Sequence, residues 1–79
     1  MRSCSYCSDV VIHIDEELAD EAIHQLEREV SFIPGVVSAC VNERARHLML
    51  VDYDPEDIHA TDLLGMVRRR GVGAELIGL

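Results

Sequence analysis

Seventy-nine residues and 8.8 kDa allow one small domain and exclude two independent cores, a barrel or a doubly wound sheet. Apolar residues make up 48% of the chain, a globular share that argues against disorder, and Tyr6, Phe32 and Tyr53 are the only aromatics, so the core must be aliphatic. Fifteen acids against seven arginines leave a net charge of −8, which disfavours nucleic acid and anionic membrane surfaces and suits cations or a basic partner.

Residues 1–8 are polar, carry Ser and Cys, and read as a tail ahead of a domain over 9–79. Residues 10–14 (VVIHI) are β-branched and short, which predicts strand 1. Asp15, Glu16 and Glu17 resemble a helix start, with acids at the positive end of the dipole. Ala19, Ala22, Ile23, Leu26, Val30 and Ile33 then recur at helical spacing until Pro34 and Gly35 stop the helix. Residues 36–41 (VVSACV) and 47–53 (HLMLVDY) predict strands 2 and 3, joined by a polar connection of hairpin length. A turn at Asp54-Pro55 leads to a second helix from about His59, burying Leu63, Leu64 and Val67 and ending in Arg68-Arg69-Arg70-Gly71. Residues 74–79 predict a last short strand.

The order βαββαβ is the α+β, ferredoxin-like arrangement: a four-stranded antiparallel sheet, expected order 4-1-3-2, with two helices on one face. Alternation assigns Ile12, Ile14, Ala39, Val41, Met49, Val51 and Leu76 to the helix side. Val11, His13, Ser38, Cys40, Leu48, Leu50, Glu75 and Ile77 fall on a second face that a chain this short cannot cover. That face is a candidate association surface.

The chain resembles the heavy-metal-associated domain of copper chaperones and metal-transporting ATPases. Four pieces carry the resemblance at consistent spacing: Pro34-Gly35-Val36; the alternating strand after it; Tyr53-Asp54-Pro55; and Ile58, Leu63, Val67 and Gly71 in the second helix. The resemblance implies metal handling. It places the family's Met-X-Cys-X-X-Cys loop between strand 1 and helix 1. Here Glu17 stands for the Met, and Ala19 and Ala22 stand for the cysteines, so the usual thiolate pair is absent. The alanines read as apolar helix-face residues.

A CxxC does occur, Cys4-Ser5-Tyr6-Cys7, but before strand 1, at the opposite end of the sheet from the family loop. Two thiolates at that spacing converge on one soft ion such as Cu(I) or Zn(II), or form a redox disulfide; the plainer alternative is a tail that happens to carry two thiols. Cys40 completes a three-thiolate site if the tail folds over the open face, and is otherwise a free cysteine on the sheet. The candidate metal ligands are thus Cys4, Cys7 and Cys40, and the cofactor is Cu(I), Zn(II) or none. His13, His24, His47 and His59 read as surface or structural residues, with His59 at a helix N-cap. Asp15, Glu16, Glu17, Asp20, Glu21 and His24 form an acidic cluster, with Glu17, Glu21 and His24 expected along one helix side; it reads as a solvated helix start, with weak divalent binding as the alternative.

No nucleophile elbow or phosphate loop is present, which points to a non-enzyme. Three cysteines make no secreted disulfide framework, and the N-terminus has no long apolar h-region, so a cytoplasmic protein is expected. The leading expectation is a small metal-handling module with a displaced thiolate site, meeting a basic protein such as a metal-transporting ATPase domain. The rival is a metal-free interaction module that uses the open face, as a homodimer or with another protein.

Overall fold

A computed structural model describes residues 7–78 of the chain. The elements run β1 (Ser8–Ile14), α1 (Asp20–Ser31), β2 (Val36–Val41), β3 (Leu48–Tyr53), α2 (Ala60–Arg68) and β4 (Ala74–Gly78). The strands form one antiparallel sheet in the order β2-β3-β1-β4, the order expected from the sequence. With two helices on one face, this is the ferredoxin-like sandwich.

Period-two alternation builds the inner face. Val10, Ile12 and Ile14 of β1 and Met49, Val51 and Tyr53 of β3 are buried. They meet Ile23, Leu26 and Val30 from α1 and Leu63 and Val67 from α2. Each of these aliphatic side chains contributes roughly 1.5–3 kcal/mol on burial. Among the described residues no polar or charged residue is buried, so this layer carries no desolvation cost of that kind. Among the described residues no helix covers the other face, and Leu50 and Ile77 remain 46% and 55% exposed on it.

Three local departures from expectation have physical causes. Strand β1 starts at Ser8, which pairs with Tyr53, so a residue assigned to the tail belongs to the sheet. Helix α1 starts at Asp20 and not at the Asp15–Glu17 triplet, and its N-cap, Ala19, supplies no side-chain cap. The triplet is held in the loop instead: the Gly73 N–H donates to both carboxylate oxygens of Glu16, at 2.9 and 3.0 Å, and the Asp15 N–H donates to the Gly73 carbonyl. Ala19 and Ala22 are therefore exposed at the start of the helix and do not join the apolar face. The sheet also carries register shifts between Val36 and Ser38 in β2 and between Val11 and Ile12 against β4.

At the end of α1, Gly35 adopts φ +96°, a conformation that L side chains rarely take. A Cβ there would lie 2.8 Å from Cγ2 of Ile58, a buried core residue. The Gly35 carbonyl also accepts the Asp54 N–H at 2.7 Å. Gly35→Ala is expected to destabilise the domain by about 2 kcal/mol or more, from backbone strain together with overpacking, as read by urea denaturation.

Across the open face, Asp9 of β1 lies directly opposite Asp52 of β3, and Asp52 accepts a hydrogen bond from the Ser38 hydroxyl at 2.9 Å. Hydrogen bonding to Asp52, together with repulsion from its charge, raises the Asp9 carboxyl above the ordinary carboxylate range. The folded state thus holds this proton more tightly than the unfolded chain. Stability falls as pH rises through the carboxylate range, and the penalty is fully present at neutral pH. Asp9→Asn should raise the denaturation midpoint at pH 7, and the two proteins should converge at pH 3.

Candidate metal centres

The topology gives the sheet two chemically distinct ends. One end carries the start of β1 and the turn after β3. The other carries the β1–α1 loop, the β2–β3 connection and the α2–β4 turn.

Cys7 stands at the first end, immediately before β1, where it is half-buried and disulfide-bonded. Cys4 lies outside the described residues. Cys7 is thus at the end of the sheet opposite the β1–α1 loop. Cys40 is a free, exposed thiol on β2, paired in register with Leu50 and with its Sγ 3.7 Å from the Val41 carbonyl. Leu50 in turn pairs with Val11. Cys40 is therefore two strands across from Cys7 and about four residues along, a separation of roughly 16 Å by strand geometry. The described structure does not bring the two sulfurs together, and among the described residues no cluster of three His, Cys, Asp or Glu side chains is placed to hold a metal.

The second end is dense in charge. Asp15, Glu16, Glu17, Asp20 and Glu21 are all exposed there. Asp20 pairs with Arg46, whose guanidinium also donates to the Leu18 carbonyl at 3.4 Å. Glu17 lies before the helix, so the expected Glu17–Glu21–His24 row along one helix side does not form. His24 instead contacts Glu27, at 3.2 Å. Glu27 accepts the Val41 N–H through its other oxygen at 2.7 Å, capping a backbone donor of edge strand β2.

An open groove of about 870 Å³ runs between α1 and the β2–β3 hairpin, with Ile23, His24, Glu27, Cys40, Arg44 and Leu50 along it. A smaller recess of about 290 Å³ is lined by Glu16, Glu17, Leu18, Arg46 and His47.

Two histidines at this end form a constellation that the sequence reading missed. His13, near the end of β1, and His47, just before β3, stack with ring centroids 5.7 Å apart and planes 17° apart. His13 Nδ1 is 3.1 Å from Oδ1 of Asp15, and His47 Nδ1 is 2.7 Å from the Ile14 carbonyl oxygen. The two residues are 34 positions apart, and only strand pairing joins them. The one available signal was that antiparallel pairing of strands 1 and 3 sets the end of one beside the start of the other. His59 occupies the N-cap of α2, as expected, without a side-chain cap bond.

No family model and no curated protein sequence matches the chain. Solved structures do. The chain is similar to a copper binding domain from HMA7, a P-type ATPase, with TM-score 0.80, 17% identity and coverage of 89% of this chain and 93% of that one. It is similar to the N-terminal domain of a potential copper-translocating P-type ATPase from Bacillus subtilis in its Cu(I)-loaded state, with TM-score 0.79, 25% identity and coverage of 91% and 89%. It is also similar to the apo copper chaperone of Enterococcus hirae, with TM-score 0.76, 20% identity and coverage of 86% and 98%. By fold, then, the chain is similar to copper-binding domains of P-type ATPases and to a copper chaperone.

Proposed function

We propose that the domain handles a soft metal ion, Cu(I) or Zn(II), through the thiolates of Cys4 and Cys7, and that it does so at the end of the sheet opposite the family's loop. The observation that carries this reading is the shared fold with Cu(I)-loaded and copper-chaperone domains, combined with exposed Ala19 and Ala22 at the loop and Cys7 at the first strand. Thiolates are the ligands these ions prefer, so the Cys7 disulfide must be reduced before metal enters. Two protein ligands leave the ion open to attack by an incoming thiol, which suits transfer more than storage. The net charge of −8 favours a basic partner, such as a domain of a metal-transporting ATPase. Binding, without catalysis, is the activity we assign.

This reading needs Cys4 and Cys7 and not Cys40. Native mass spectrometry under reducing conditions should show one Cu(I) or Zn(II) held by the wild type and lost in Cys4→Ser/Cys7→Ser. Cys40→Ser should keep it. Equal stoichiometry and affinity in wild type and double variant would overturn the proposal.

A second reading rests on the uncovered sheet face, where Leu50 and Ile77 stay exposed beside Val11. Pairing of two copies through that face would bury them. Sedimentation velocity across a concentration series should then show a dimer that Leu50→Asp dissociates, whereas a strict monomer throughout rules it out.

A further inference from the structure

We propose that His13 and His47 form a two-imidazole site for a borderline transition-metal ion such as Zn(II) at the loop end of the sheet, separate from the cysteines.

The argument starts from the proton on each ring. The Ile14 carbonyl can only accept, so the neutral His47 ring carries its proton on Nδ1 and donates it across 2.7 Å. A carboxylate oxygen of Asp15 likewise accepts, which assigns the proton to His13 Nδ1, 3.1 Å from Oδ1. Both neutral rings are thereby fixed as the tautomer whose Nε2 lone pair is unclaimed. Metal-ligating histidines characteristically show this arrangement: one ring nitrogen donates to a carboxylate or a backbone carbonyl while the other binds the ion. Here the pair uses one support of each kind.

Placement and field agree with this assignment. The rings are stacked on neighbouring strands with centroids 5.7 Å apart, and the His13 side chain is 40% exposed. A metal–nitrogen bond is about 2.0–2.1 Å, so one ion bridges two Nε2 atoms lying within about 4 Å of each other. Stacked rings hold those lone pairs in separate, near-parallel planes, so binding one ion turns the rings out of the stack. Glu16 and Glu17 line the recess beside His47, and Asp15 lies against His13, so a cation enters a region of negative potential. The nearest cation, Arg46, is occupied by Asp20. Imidazole nitrogen suits Zn(II) and Cu(II), and two protein ligands leave the remaining positions to water or to a ligand from a partner.

The test uses Cys4→Ser/Cys7→Ser/Cys40→Ser, so that no thiol contributes and failure here is distinct from failure of the thiolate site. Zn(II) titration by calorimetry should show one equivalent bound, weakened at least tenfold by either His13→Gln or His47→Gln and unchanged by His24→Gln. In the triple-serine protein itself, with all histidines intact, Zn(II) should shift the Nε2 resonances of His13 and His47 in imidazole nitrogen spectra. The proposal is overturned if the triple-serine protein binds no Zn(II), or if the resonances that move belong to His24 or His59.

Discussion

Two helices of 12 and 9 residues must bury the inner face of a four-stranded sheet, and among the described residues there is no third helix for the outer face. The aliphatic layer between them is the interaction on which everything else in the molecule rests. It is continuous from Val10 to Ala74, contains no charge, and needs no metal to close it. The same economy leaves Leu50, Cys40 and the Asp9–Asp52 pair on the uncovered side, where solvent and partners reach them.

That layer also holds the two ends of the sheet apart and lets them carry different chemistry. The resemblance to heavy-metal-associated domains implies thiolates in the β1–α1 loop. In this chain the loop is a carboxylate clamp on Gly73, and its alanines face solvent. Cys7 stands at the far end, while the stacked histidines and the acidic loop stand at the near one.

The fold was largely legible in the chain. Alternation in β1 and β3, and the helical spacing of Ile23, Leu26 and Val30, each report a contact with the same aliphatic layer, so local pattern and tertiary burial agree. Legibility failed where no apolar contact set the outcome. The acidic triplet looked like a helix start because acids favour that position, but a long-range bond from Glu16 to the Gly73 amide kept it in the loop. Ala19 and Ala22 matched the helical period, yet a small side chain at a helix entrance gains little by burial, and the period alone cannot tell. The stacked histidines were invisible because each was weighed alone. Their relation lies in strand register, and sequence distance hides it. The cysteine motif was read directly, since two thiols at fixed spacing are local.

The Glu16–Gly73 contact reaches further than the loop it closes. The amide of Gly73 is seized by both oxygens of one carboxylate, and a Cβ at Gly73 would fall 2.7 Å from Asp15 Oδ2 and 2.9 Å from Glu16 Oε1. The loop and the last strand are therefore tied as one unit, and the absence of a side chain at Gly73 leaves room for the tie. Cysteines placed at positions 19 and 22 would therefore stand beside a loop that Glu16 still holds to Gly73, and a loop free to close around an ion would need a third change, at Glu16.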